Sequence, residues 1–499
     1  MDIINTIYDN LNKTILFALL LLASFLSGFV ILRFGIIPGI LVSLAPLLVA
    51  GLIILLNKPF WAFIILFIMN FYISGISRYI PGIYSGVVMD VLLMMIITVL
   101  ILQSFRKSDD YIFSGVVNPV TVLSLIWFIY CVLQIFNPIS SSSLAWLMNV
   151  RGIGVYFLLI SLVSSFFLRK YKHLNTILVL WAFLALTAVA KAVLQKTVGF
   201  DYAENRWLAE GARSTHILYS GIRYFSFFTD AGNFGSGMGF TSVVFLISGF
   251  STKRLGRKIL YIITGLACLY GMVISGTRGS LVIPFIGLLY YAFISKNIKA
   301  FVSSVIIVVI FIGFLKFTYI GHSNQYIRRM RSIFNEQDAS LRGRIDNQKI
   351  VKELMADKPF GVGIGMMRSK ATAYRPHPVL STIPHDSWYI LIWAELGIVG
   401  LILYLFILFY ILMHGSYLVL FKLKNKELRG VISSILCGLI GLYAAAYSLE
   451  IFGQFPNAYI IFICMTVIFL SPLYDKELED KTDNLKTNAQ DTGHIFHYS

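Results

Sequence analysis

Two arginines and a histidine stand out among the residues whose types and spacing suit chemistry. Arg278 lies in Ser275-Gly276-Thr277-Arg278-Gly279-Ser280, between two apolar runs that leave almost no loop, and its small neighbours leave room for a ligand to approach. Arg223 lies in Gly221-Ile222-Arg223-Tyr224-Phe225-Ser226-Phe227-Phe228-Thr229-Asp230, just ahead of another apolar run. A guanidinium presents a planar fork that meets phosphate oxygens with two parallel charge-assisted bonds, which makes each a candidate anion-binding group. The competing reading is an arginine that snorkels at a membrane surface.

His385 stands in Ser381-Thr382-Ile383-Pro384-His385-Asp386-Ser387-Trp388-Tyr389-Ile390, where a polar loop passes into an apolar run. Imidazole titrates near neutrality and is the commonest general base, so His385 is a candidate to take a proton from a hydroxyl; a purely structural hydrogen-bond donor is the alternative. Asp386 either orients that ring or caps the helix that follows. Glu395, about ten residues on, sits inside the apolar Ala394-Glu395-Leu396-Gly397-Ile398-Val399-Gly400, where an ionisable group must face the bundle interior and find a partner. Asp230, Asp386 and Glu395 are read as supporting groups. No cluster has metal-ligand spacing, so no metal and no cofactor is expected. Cys131, Cys268, Cys437 and Cys464 are far apart inside apolar runs, as small buried hydrophobes are.

The elements that must position these groups follow from composition. Of 499 residues, 58% are hydrophobic and 13% charged, and the mean hydropathy is +0.79. A soluble chain carries about 25% charged residues, so the fold class is all-α, a polytopic integral membrane helical bundle. The net charge of +17 comes from basic residues that gather in loops between apolar runs, which is a topology signal rather than a nucleic-acid footprint. A bilayer core needs about 20 apolar residues per helix. Such runs lie near 14–32, 36–56, 60–76, 83–102, 117–136, 152–168, 174–194, 233–250, 259–276, 280–295, 299–317, 388–413, 431–449 and 456–471, so about twelve to fourteen transmembrane helices are expected. Pro38, Pro46 and Pro284 mark expected kinks.

The organisation reads as N-terminal transmembrane helices over 1–195, a smaller extracytoplasmic loop over 196–232 and further transmembrane helices over 233–317. A large extracytoplasmic loop over 318–387, C-terminal transmembrane helices over 388–473 and a cytoplasmic tail over 474–499 complete it. Sidedness comes from Arg106-Lys107, Arg169-Lys170-Tyr171-Lys172, Lys253 to Lys258 and Lys422 to Lys426, which the positive-inside rule assigns to the cytoplasm. The run at 14–32 is read as a retained helix, since no small-residue cleavage site accompanies it. Within the large loop, 341–357 reads as a helix that Pro359 follows, and Gly361-Val362-Gly363-Ile364-Gly365 reads as a flexible turn, since no strand precedes it to make a nucleotide signature.

In order and spacing the series resembles the O-antigen ligase and polymerase superfamily. It comprises Thr277-Arg278-Gly279 between two spans, Lys358-Pro359-Phe360-Gly361-Val362-Gly363 after a loop helix, Pro384-His385-Asp386-Ser387, and Ala394 to Gly400, within residues 220 to 413. The resemblance implies a GT-C-like membrane glycosyltransferase that takes a glycan from an undecaprenyl-diphosphate carrier and passes it to a hydroxyl, with no nucleotide sugar or essential metal. It implies diphosphate-binding roles for Arg223 and Arg278 and activation of the acceptor by His385; Asp386 stands where the family more commonly has asparagine. The implied partners are the undecaprenyl-diphosphate-linked glycan donor, a lipid or glycan acceptor and membrane lipids, with no nucleic acid. The implied place is the bacterial inner membrane, with the active site facing the periplasm. The large loop near the C-terminal half favours a ligase; a repeat-unit polymerase shares the same residues. A polysaccharide exporter or secondary transporter, the reading from another class, would show inverted repeats with broken helices, and no such symmetry is legible.

Overall fold

The computed structural model describes residues 24–25, 28–30, 32–33, 57–80, 82, 84–106, 116–218, 221–295, 298–334, 339–367, 379–383 and 387–494. The helices are α1 (Phe60–Tyr79), α2 (Ser85–Arg106), α3 (Pro119–Leu133), α4 (Ser143–Val150), α5 (Tyr156–Phe167), α6 (Tyr171–Thr197), α7 (Tyr202–Trp207) and α8 (Ala231–Ser251). They continue as α9 (Leu255–Ile274), α10 (Val282–Ile294), α11 (Ile298–Phe317), α12 (Gln325–Arg331), α13 (Ala339–Leu354), α14 (Trp388–Tyr417), α15 (Lys426–Ala445) and α16 (Asn457–His494). A π-helical turn at Arg151–Val155 joins α4 to α5. Among the described residues the only sheet is a two-stranded antiparallel ribbon, Ile217–Leu218 with Gly221–Ile222.

Among the described residues ten helices are long and apolar enough to cross a membrane, and Arg278–Ile294 and Phe301–Phe317 are shorter apolar helices. Together they account for the spans expected from residue 60 onward. The runs at 14–32 and 36–56, with Pro38 and Pro46, lie largely outside the described residues. The chain is a multi-pass, all-α membrane protein. Side chains such as Ile306, Ile307, Val309 and Ile310 on α11 are exposed, as lipid-facing residues are, since hydrocarbon solvates them without penalty.

The chain divides into two compact units. One holds Met1–Ile65 and Met95–Ser108; its described residues include the first turns of α1 and the second half of α2. The other holds Leu66–Met94 and Asp109–Ser499, with every candidate site residue. At its centre α8 packs on α9, α15 and α10. Apolar attraction between helices is weak in lipid, so close backbone approach and polar contacts hold such a bundle. The sequence of α8, Ala231-Gly232-Asn233-Phe234-Gly235-Ser236-Gly237-Met238-Gly239, supplies both. A Cβ on Gly235 would stand 2.3 Å from Ser275 Oγ and 3.0 Å from Thr277 Cβ, so only glycine lets the turn after α9 lie against this helix. Asn457 Nδ2 donates to the Asn233 carbonyl at 2.7 Å and ties the start of α16 to α8.

Two breaks differ from the expected pattern. Pro284, expected to kink a span, falls in the first turn of α10, after the 3-10 turn Arg278–Leu281, where a missing N–H costs little. The break within α14 is instead at Gly397, with φ +73° and ψ −178°.

Candidate active site

The site is built on the turn after α9. Ser275 and Gly276 leave the helix, Gly276 at φ +60°, and Thr277 is buried at 5% exposure. The Thr277 hydroxyl donates to the Ala231 carbonyl at 2.8 Å and so fixes the turn to the start of α8. Three arginines gather on it. Arg223 Nη2 donates to Thr277 Oγ1 at 3.0 Å, and its Nη1 donates to the Thr215 carbonyl at 2.9 Å. Arg329, from α12, donates from Nε to the Gly276 carbonyl at 2.5 Å. Arg278 Nη1 donates to Ser332 Oγ at 2.8 Å, and that hydroxyl donates to the Arg329 carbonyl at 2.8 Å. A Cβ added to Gly276 would meet Arg223 Cγ at 3.3 Å and Arg329 Cδ at 3.4 Å, so two of the side chains flank this glycine. Positive charge concentrated on one turn suits a polyanion such as a diphosphate.

Arg223 is delivered by the short ribbon. Its register pairs Ile217 with Ile222, and one step outward the Arg223 N–H donates to the His216 carbonyl at 2.9 Å. The same ribbon sets His216 against the start of α8: the Ala231 N–H donates to its Nε2 at 3.1 Å, while Nδ1 lies 2.9 Å from the Ala212 carbonyl. These partners assign the proton to Nδ1. Burial pushes the imidazole down to about 4, with Arg223 and Arg78 acting the same way against the Ala212 carbonyl and Asp230. His216 is therefore a neutral cap, buried at 3% exposure, and a positioning residue. Asp230 caps the same helix: its Oδ1 accepts from the N–H groups of Gly232 at 2.6 Å and Asn233 at 2.9 Å. The structure thus places Asp230 at the N-terminus of α8, where a carboxylate complements the helix dipole.

Behind the ribbon a polar network holds the segment that carries Arg223. Lys191 on α6 pairs with Asp201 and Glu204, each at 2.9 Å. Gln195 donates to Glu204 at 2.8 Å and accepts from the Ser226 N–H at 2.9 Å. For the Asp201 carboxyl, burial alone would raise the pKa, but Tyr79, the Glu204 N–H and Lys191 outweigh it and hold it at about 2.

Glu395 is fully buried at the break in α14. Its Oε1 accepts from the Met367 N–H at 3.3 Å, and its carbonyl accepts from the Gly363 N–H at 3.0 Å. Val362 N–H bonds to the Ala394 carbonyl at 2.9 Å and Val399 N–H to the Pro359 carbonyl at 3.2 Å. The glycine-rich turn after α13 is thus clamped to α14, with Gly361, Gly363 and Gly365 all at positive φ. His385 and Asp386 lie outside the described residues. Two residues on, Ser387 caps α14 by accepting from the Ile390 N–H at 3.3 Å, and the Trp388 N–H bonds to the Ala446 carbonyl at 3.0 Å. Ser448, just beyond Ala446, lies where a Cβ on Gly279 would meet its Oγ at 2.5 Å, so this junction connects through residues 446–448 to the arginine turn.

Sequence reasoning singled out Arg223, Arg278, Asp230 and Glu395 but passed over Arg329, His216 and Thr277. Arg329 stands in Arg328-Arg329-Met330-Arg331, where one arginine is indistinguishable from its neighbours until the helix is placed. Thr277 was legible as part of Thr277-Arg278-Gly279, but its role depends on where Ala231 lies. Among the described residues no group of three or more His, Cys, Asp or Glu is placed to hold a metal ion.

A family model described as O-antigen ligase matches residues 263–405. The segment contains Arg278, Arg329, His385 and Glu395 and leaves out Arg223 and Asp230. Neither a curated protein nor a solved structure matches the chain.

Proposed function

We propose that this chain is a membrane enzyme of the O-antigen ligase and polymerase superfamily, a reading that the O-antigen ligase match at residues 263–405 supports, and that it transfers a glycan from a polyprenyl-diphosphate carrier to an acceptor hydroxyl. The observation that carries this reading is the convergence of Arg223, Arg278 and Arg329 on the turn at residues 275–278. In the reaction the acceptor oxygen attacks the anomeric carbon, the bond from that carbon to the diphosphate oxygen breaks, and the carrier diphosphate leaves with the electron pair. The acceptor proton passes to His385. Fixed guanidinium groups stabilise the charge where it develops on the departing diphosphate. The site works as a GT-C-type transferase, with the carrier chain between helices and the glycan on the periplasmic side of the inner membrane. The large loop favours a ligase over a polymerase.

The test is transfer by purified full-length protein in nanodiscs, with a lipid-linked oligosaccharide and a panel of acceptors. Arg278→Lys keeps the charge but loses the fork, and should cut turnover by about 10-fold or more. His385→Ala should lower turnover by ~10²–10⁴-fold while donor binding persists. Wild-type rates in both Arg278→Lys and Arg329→Lys would refute diphosphate recognition at this turn, and a well-folded His385→Gln protein at the normal rate would refute the general base.

A further inference from the structure

A concave site lies at the C-terminal end of α1. It is a cavity of about 570 Å³ whose walls include Ser74, Ser77, Arg78, Arg206, Trp207 and Glu210. The volume falls within the ~300–1,000 Å³ of small-molecule sites. It adjoins the arginine turn through the chain itself, because Thr229, next to the Asp230 cap, also lines it.

The cations of this cavity are already engaged. Arg78 is buried, donates to the carbonyls of Ser226 at 2.8 Å and of Phe228, and lies 4.4 Å over the Trp207 ring and 4.5 Å over the Phe225 ring. Arg206 donates to the Arg78 carbonyl at 2.5 Å and sits 3.8 Å from the Glu210 carboxylate. What sets this cavity apart from the arginine turn is the Glu210 carboxylate in its wall, which repels a phosphate. The remaining lining is neutral or acceptor-rich. Ser77 donates to the Ser74 carbonyl at 2.9 Å and keeps its lone pairs. The Ser74 hydroxyl is buried and makes no hydrogen bond among the described residues, and Glu210 is 66% exposed. A hydroxyl left to donate at Ser74, acceptor lone pairs at Ser77 and a carboxylate beside an indole match the alternating hydroxyl and C–H surface of a sugar ring.

We infer that this cavity binds a pyranose ring of a glycan substrate, at a subsite separate from the arginine turn. Its role in the reaction rests on the transfer reading above; the binding itself does not. Donor and acceptor glycans share this chemistry, and the experiment separates them.

Full-length protein in nanodiscs is titrated with the methyl pyranosides of glucose, galactose and mannose, and with inorganic pyrophosphate, by saturation-transfer NMR. At least one pyranoside should bind wild type and Arg278→Lys with the same Kd. Ser77→Phe, which puts a ring into the cavity, should weaken it by about 10-fold or more, and the exposed Glu210→Gln by a few-fold, as expected for one charged hydrogen bond. If Ser77→Phe fails to fold, Glu210→Gln decides. The inference is overturned if no pyranoside binds wild type, if binding is unchanged in the cavity variants, or if pyrophosphate competes with the sugar. In the transfer assay, a raised KM for the lipid-linked donor in Glu210→Gln assigns the ring to the donor glycan, and a raised KM for the acceptor assigns it to the acceptor. Sugar binding by a protein that transfers no glycan would remove the transfer reading and leave the subsite standing.

Discussion

Replacing Thr277 by valine tests whether the arginine turn acts through its anchoring. Valine keeps the shape of threonine and removes the hydroxyl, which donates to the Ala231 carbonyl at 2.8 Å and accepts from Arg223 Nη2 at 3.0 Å. Losing the neutral bond costs about 1 kcal/mol; losing the charged one costs about 1.5 kcal/mol, the lower end of its range because Arg223 is only half-buried. The sum, about 2–3 kcal/mol, falls on the contact that orients Arg223 toward the turn. If Arg223 is held in its working geometry by this bond, kcat/KM should drop by roughly 30- to 150-fold, and the thermal midpoint should fall as well. Thr277→Ser retains the hydroxyl and should recover most of both. The decisive measurement is the double variant Arg223→Ala/Thr277→Val in the nanodisc transfer assay. Residues that act as a unit are not additive, so it should lose little beyond Arg223→Ala alone. If the two losses multiply, or if Thr277→Val transfers at the wild-type rate, Thr277 does not position Arg223 and the reasoning fails.

Two further outcomes bear on the scaffold. Gly397→Ala forces a side chain into φ +73° and sets its Cβ 2.0 Å from the Pro359 carbonyl oxygen, so the clamp between the glycine turn and α14 should open at a cost of about 3 kcal/mol. Thermal unfolding should show this, while Gly343→Ala, whose Cβ meets nothing within 4 Å, stays at or slightly above wild type. His216 contributes a pH dependence. Its native pKa of about 4 lies below the unfolded value near 6.5, so the fold favours the neutral ring. The associated stability is fully present above about pH 6.5 and is lost as the pH falls toward 4, a total on the order of 3 kcal/mol. His216→Gln should be less stable than wild type at pH 7.5 and lose less between pH 6.5 and 4; parallel slopes for the two proteins would contradict the buried neutral cap.

What the sequence determined by itself is the part that follows from local chemistry. Apolar runs near twenty residues can satisfy their backbone in lipid only as helices, so the all-α membrane fold and the spans from residue 60 onward were legible without coordinates. Arg223, Arg278 and Glu395 were also legible, because charge is scarce in such a chain and each charge near a span needs a reason. The tertiary structure decided which of these groups share a site. Arg223 and Arg329 are far apart in the chain and meet only because Gly235 lets the turn at residues 275–278 lie on α8 while α12 returns to it. Glu395, by contrast, bonds into the clamp at Gly397, a role set by a glycine-to-glycine contact that hydropathy does not register. His216 carried no signal at all in the sequence, since its burial and its ring partners come from the fold of residues 202–231. Periodicity and composition describe how one segment meets its solvent; the convergence of three arginines depends on how segments meet each other.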